Sequence, residues 1–299
     1  MPGFGSLAPI VLIAAAALPL CAQQPAPSAP QNSQESAHDL VRDVIYNELH
    51  DRERDSHWEY RSECVSPAQN VVREQVETAN GPVFRLLSQD GKLLDAAQQE
   101  QESERLEEYI HNPGQIAHVE RAHDNDEAQV AAIMQMVPSA YLFDYASAPT
   151  DDVGRITFRP DPAFVPTNYQ ARIVHALTGT MIVDLRLKRA IDMSGSLAER
   201  VDFGYGLLGH VEKGSSFHIH RHQVSATHWK ADLIETHVQG KVLLVKSLSK
   251  DQREVRSDFR PVPSGTTLAE AKDMLTDTRN QATDGGVQAR LVPAAATQK

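Results

Sequence analysis

His218, His220 and His222 alternate with Ile219 and Arg221 in the run SSFHIHRHQV. On a strand, alternation puts all three imidazoles on one face, with successive same-face residues ~6.7 Å apart. Two imidazoles at that spacing can converge on one zinc ion, whose nitrogen ligands lie near ~2.0 Å. The outer two would stand ~13 Å apart, so a site needs His220, one neighbour and a ligand from another strand. A hairpin loop of Ser225, Ala226 and Thr227 would set Asp232 opposite His220 and Lys230 opposite His222. In that register Phe217 and Ile219 share the buried face with Trp229, Ala231 and Leu233, because a one-residue slip would bury the histidines. The metal set this implies is His218, His220 and Asp232. Lys230 beside it opposes a cation, and a hydrated strand face with weak His–carboxylate pairs explains the same pattern. The hydrated face is the preferred reading.

Other residues with chemical capacity lack their context. Gly204, Gly206 and Gly209 satisfy G-x-G-x-x-G, a fingerprint that works only where a helix N-terminus follows and faces the pyrophosphate. Gly214 and a β-rich run arrive too soon for a helix, so nucleotide binding is set aside and the glycines are read as bends in a strand. Ser194 and Ser196 in DMSGSL have no nucleophile elbow around them. Asp151 and Asp152 fall in turn-like sequence, and Cys64 has no base nearby and reads as a packed strand residue. No acid/base constellation emerges, no cofactor is implied, and the chain reads as a non-enzyme.

The elements that position these residues follow from hydrophobic period and punctuation. Leu40, Val41, Val44, Ile45 and Leu49 recur at helical spacing. HWEYRSECV, NVVREQVETAN and PVFRLLSQDGKLL read as strands, with turns at Asn80-Gly81 and Asp90-Gly91. Asp95 with Gln98 forms a capping box for a helix that HNPG closes at 111–114. A second helix, from Gln115 to before Pro138, carries Ile116, Val119, Val130, Ile133, Met134 and Val137. This pair is read as the cover of a sheet. After Tyr141 more than a hundred residues are strand-like, with connections of mostly a few residues, which favours antiparallel neighbours in a meander. Thr267 and Glu270 cap a short closing helix. The expected class is α+β, a large antiparallel sheet packed on a few helices.

Charge and composition narrow the function. The 299 residues carry a net charge of −11, and residues 95–127 hold ten acids and two arginines, −8 of that total. Nothing supplies the basic stripe that nucleic acid requires. The apolar run Leu7–Ala22 is too short and Pro-broken to span a bilayer and reads as a signal peptide, 1–22. A Pro-, Gln- and Ser-rich tether, 23–37, follows, then one domain, 38–277, and a disordered tail, 278–299. Export to the periplasm or the medium is expected, with lipid anchoring at Cys21 as the alternative. No transmembrane segment is expected in the mature chain. With Cys21 removed, Cys64 stands alone and the fold must be held by its core.

ITFRPDPAF, FGYGLLGHVEKGSSF, His228-Trp229, GKVLLVKS and RSDFRPVP together resemble a family of exported bacterial proteins of unknown function, over roughly residues 38–277. More distantly, the order of elements resembles the LolA/LppX-like periplasmic carriers of lipoproteins and lipids. That resemblance implies an unclosed, curved antiparallel β-barrel of about eleven strands wrapped on helices, with an apolar concave face for acyl chains. The expected function is therefore an exported binding protein for an apolar or lipid-like ligand. The expected lining is Phe203, Leu207, Leu208, Phe217, Ile219, Trp229 and Leu233. Alternatives are an envelope structural or interaction protein with a filled core and an envelope protein partner, or a zinc protein or hydrolase centred on the histidine strand.

Overall fold

Residues 35–53, 57–150, 152–203, 209–242 and 246–284 are described by a computed structural model. Helix α1 spans Ala37–Glu53, and its Leu40, Val41, Val44 and Ile45 are buried, as their spacing requires. Strands β1 (Trp58–Ser66), β2 (Gln69–Val76) and β3 (Val83–Gln89) follow as consecutive hairpins, and β4 (Lys92–Leu93) folds back on β3. The Asp90-Gly91 turn has φ of 51° and 75°, both positive, as the tight hairpin turn that matches strand twist demands.

Helices α2 (Ala96–Ile110) and α3 (Pro113–Ala140) come next. The capping box at α2 closes with two bonds of 2.9 Å: Gln98 N–H to the Asp95 carboxylate, and Asp95 N–H to the Gln98 side-chain oxygen. Asn112 caps α3 by accepting from the N–H groups of Gly114 and Gln115, both at 3.1 Å. Helix α3 therefore begins at Pro113, where a missing N–H costs nothing. It also runs through Pro138, where a stop was expected. In the last turn a proline forfeits one hydrogen bond while its fixed φ remains helical. Its own carbonyl is among the last four of the helix, which have no intrahelical donor, and it lies 3.0 Å from the His38 ring nitrogen.

The remaining strands are β5 (Tyr141–Tyr145), β6 (Val153–Pro160), β7 (Leu177–Asp184), β8 (Arg189–Leu197), β9 (Val201–Phe203), β10 (Gly209–Val211), β11 (Ser216–Gln223), β12 (Trp229–Val242) and β13 (Lys246–Pro261). A short helix α4 (Tyr169–His175) sits between β6 and β7, and α5 (Leu268–Asp284) ends the described chain, passing the expected boundary at 277. The strands form one unclosed antiparallel sheet in the order β4-β3-β2-β1-β13-β12-β11-β8-β7-β6-β5, with β10 joining β12 to β9. The fold is α+β with a large curved sheet. Among the described residues no helix is long and apolar enough to cross a membrane.

Helix α1 packs its apolar stripe on Ile156, Met181, Val183 and Ala190, while α2 and α5 cover Val76 and Val83. Helix α3 joins the two clusters, giving Val119 to one and Met134 to the other. Across β6, β7, β8 and β11 one row of partners reads Phe158, Gly179, Gly195, Phe217. The two Phe rings lie over the glycines: a Cβ on Gly195 would stand 2.6 Å from the Phe217 ring, and one on Gly179 1.9 Å from the Ser194 carbonyl oxygen.

Two charged devices tie helices to the sheet. Glu48 of α1, 6% exposed, contacts Arg221 of β11 and lies 3.8 Å from Arg189 of β8. At the β3 rim, Glu102 of α2 accepts from the Leu86 N–H at 2.8 Å and Arg105 donates to the Phe84 carbonyl at 2.7 Å. Glu102 and Arg105 are themselves joined by two bonds of 2.7 Å.

Candidate functional site

The histidine hairpin has the expected three-residue loop, closed by the Val224 N–H to His228 carbonyl bond of 2.9 Å. Pairing follows the expected register through Gln223–Trp229, His222–Lys230 and Arg221–Ala231. It then shifts: His220 pairs with Leu233, not Asp232. A β-bulge places one extra residue of β12 here, so Leu233 stands on the histidine face and leaves the face of Phe217 and Ile219. Asp232 still reaches its expected neighbour, with His220 Nδ1 2.7 Å from one carboxylate oxygen, while His222 Nδ1 lies 3.2 Å from the other.

His218 is held differently. Its Nε2 lies 2.8 Å from Asp192 of β8 and its Nδ1 3.1 Å from Glu235 of β12. Both nitrogens face carboxylates, so neither lone pair is turned toward a metal ion. Among the described residues no group of three or more His, Cys, Asp or Glu side chains is arranged to hold one. The three histidine side chains are 35%, 40% and 44% exposed, the environment of a wet sheet face.

Hydrogen bonds first to Asp192 and then to Glu235 raise the His218 pKa above 6.5. The raised value belongs to the folded state, so the stabilisation is complete below the unfolded pKa and disappears as pH rises through the folded one. A proton-detected histidine titration should therefore give His218 a midpoint above 6.5, and His218→Asn should cost stability at pH 5 and not at pH 9. Equal losses at both values would remove the charge-based account.

The expected apolar lining divides among several environments. Phe217 joins the Tyr141–Phe158 cluster, and Phe203 packs with Leu197, Val201 and Val211, its ring 5.3 Å from that of Tyr169. Ile219 pairs with Ile234 and Met193. Trp229 is half-buried and its carbonyl accepts from Arg221 at 3.1 Å. Leu207 and Leu208 lie outside the described residues, as do Cys21 and the apolar run before it.

Two clefts open elsewhere. One, of about 400 Å³, lies beside the β13 bulge at Asp258, where φ is +59°, and is lined by Tyr60, Glu74, Phe259 and two arginines. Burial, and next the Glu59 carboxylate, raise the Glu74 pKa. The other, of about 550 Å³, separates the start of β3 from the α2–α3 hairpin. Pro82, Val83 and Phe84 line its strand side and Leu106, Tyr109 and Val119 its helix side. Phe84 lies under two guanidinium groups, with Arg105 4.7 Å and Arg73 5.0 Å from the ring centre. Tyr109 is 7% exposed and its hydroxyl is buried with no hydrogen-bond partner, an arrangement that costs about 1–3 kcal/mol.

Of the expected lining residues, none of the five that are described (Phe203, Phe217, Ile219, Trp229 and Leu233) borders either cleft. Leu106 and Tyr109 are three apart in α2 and so share a helix face, a spacing present in the sequence but hidden among its acids. Comparison with protein-family models, curated proteins and solved structures finds no match to this chain.

Proposed function

We propose that this chain is an exported, non-catalytic binding protein that holds an apolar or lipid-like ligand between its sheet and its helices. The observation that carries this reading is the 550 Å³ cleft walled by Val83, Phe84, Leu106 and Val119. Its volume falls within the ~300–1,000 Å³ of ordinary small-molecule sites, which are mostly apolar with a few polar groups. The 400 Å³ cleft, with its arginines and acids, offers an apolar chain nothing. The unclosed sheet, eleven strands along its main path, supports the likeness to periplasmic lipid carriers, and the apolar run Leu7–Ala22 supports export.

Saturable binding of N-phenyl-1-naphthylamine tests the reading. Val119 is half-buried on the cleft wall, so Val119→Asp should weaken the probe about tenfold or more without unfolding the chain, since a carboxylate must shed water to meet it. A probe that never saturates would end this proposal. It would favour a second reading, an envelope structural or interaction protein, for which the close packing of Phe217 and Phe203 against other rings is the support.

A further inference from the structure

We infer that the 400 Å³ cleft beside the β13 bulge is a second binding site, which takes one neutral sugar ring whose adjacent hydroxyls bridge Arg61 and Glu74. It is independent of the apolar cleft and of what that cleft holds.

The strand pairing makes the opening. Between the pairs Glu59–Arg260 and Arg61–Ser257, β1 has one residue, Tyr60, where β13 has two, Asp258 and Phe259. Such a bulge interrupts the ladder and re-aims side chains, and bulges recur beside functional sites for that reason. Asp258 takes a left-handed φ of +59° within it, a conformation that aspartate tolerates better than most residues.

Arg61 of β1 and Glu74 of β2 stand directly opposite each other, close enough for opposite charges to join. Among the described residues, neither side chain makes an ion pair or a hydrogen bond. Both line the cleft; Arg61 is exposed, and Glu74 is half-buried with carboxylate oxygens that are not sealed from solvent. One offers donors without an acceptor, the other an acceptor without a donor. A hydroxyl donates one hydrogen bond and accepts two, so two neighbouring hydroxyls answer both at once. The rest of the wall is already engaged: the Tyr60 hydroxyl accepts from Gln75 at 2.7 Å, Arg260 donates to Glu59 at 2.9 Å, and Asp258 accepts from Ser257 at 3.1 Å. Half-buried Phe259 adds apolar wall, the other ingredient of small-molecule sites.

Charge selects a neutral ligand. Arg61 and Arg260 on the wall balance Glu74 and Asp258, and the buried neighbours of Glu74, Glu59 and Arg85, balance each other. Burial is the largest cause raising the Glu74 pKa and Glu59 the next; Arg85, Arg260 and Arg61 lower it, in that order, without cancelling the rise. What Glu74 lacks is hydrogen-bond donors rather than positive charge, and hydroxyls supply them. An amino acid also sums to zero charge, but it must strip water from two full charges to enter. At roughly 30 Å³ per water-sized group, a volume of about 400 Å³ takes on the order of thirteen such groups, the size of one hexose.

NMR titration at pH 7 with methyl glucoside, methyl galactoside and methyl mannoside tests this, with glucuronate, glucosamine and phenylalanine as anionic, cationic and zwitterionic controls. At least one neutral ring should bind about tenfold more tightly than every control. Glu74→Gln should weaken that ring about tenfold, since it takes the charge from a charge-assisted bond. The same variant should melt no lower than wild type at pH 7, because it deletes a desolvated carboxylate. Affinity should fall as pH drops through the Glu74 pKa, where a proton blocks the acceptor, and Glu74→Gln should lose that pH dependence. Saturating N-phenyl-1-naphthylamine should leave sugar affinity unchanged. No saturable binding of any neutral ring, a control that binds as tightly as the best ring, or unaltered binding in Glu74→Gln would overturn the inference. Displacement of the sugar by the naphthylamine would overturn it too, because it would place the ring in the other cleft.

Discussion

Gly179→Val is expected to lose on the order of 3 kcal/mol or more, at or beyond the top of the usual cost of overpacking. A Cβ there would stand 1.9 Å from the Ser194 carbonyl oxygen and 2.8 Å from the Gly195 Cα. Both are backbone atoms of β8, so the strand pair itself would have to part, and the Phe158 ring 2.6 Å away would move with it. Against a total stability of ~5–15 kcal/mol, that leaves a marginal or aggregating protein. Gly154→Ala is the comparison, because its new Cβ meets a Leu185 methyl carbon at 2.9 Å and a side chain can rotate away. Urea denaturation should separate the two by several-fold. Wild-type stability in Gly179→Val would mean that the Phe158–Gly179–Gly195–Phe217 row is not close-packed.

Glu48→Ala should be nearly as damaging, at about 3–5 kcal/mol, the usual loss when one partner is taken from a buried ion pair. Glu48 sits between Arg221 and Arg189, whose side chains are 19% and 11% exposed, and its removal leaves two guanidinium groups facing each other beneath α1. The damage should be repaired by removing the cations too. A variant with Leu or Met at 48, 189 and 221 is expected to recover most of the loss, because well-packed apolar groups replace buried ions at little net cost. A Glu48→Ala loss under about 1 kcal/mol would place this network in water, where such pairs contribute little.

Local chemistry made much of this fold legible in the sequence. The capping boxes at Asp95 and Thr267, the Asp90-Gly91 turn and the Ser225–Thr227 loop are each set by neighbours within a few residues, and all form. The alternation of His218, His220 and His222 with Ile219 and Arg221 also translates into a face, because a strand has only two. What escaped was non-local. The pairing of β1 with β13 joins residues about two hundred apart, and no pattern in either strand names the other. The bulge at Asp232 changed the register by one, and it left no mark because Trp229 to Leu233 alternates apolar and polar without a break, as an unbulged strand would. Arg221 looked like a polar residue on a buried face. Its reason is Glu48, on a helix whose approach the sequence does not encode. The cleft at Tyr109 was missed because its wall is made by three elements at once, and only the role of the acidic helices as a cover was visible.

The bonds from α2 to the rim of β3 have a consequence for how this chain behaves among its own copies. An open sheet ends in backbone groups that can template another strand, and growth from such edges leads to swapped dimers and fibrils. Here the outward N–H of Leu86 and the outward carbonyl of Phe84 are occupied by Glu102 and Arg105. A helix thus acts as a chain terminator for a sheet. Colloidal behaviour then depends less on what β3 displays than on whether α2 remains docked, and a lesion that merely frays this helix would turn a folded copy into a seed.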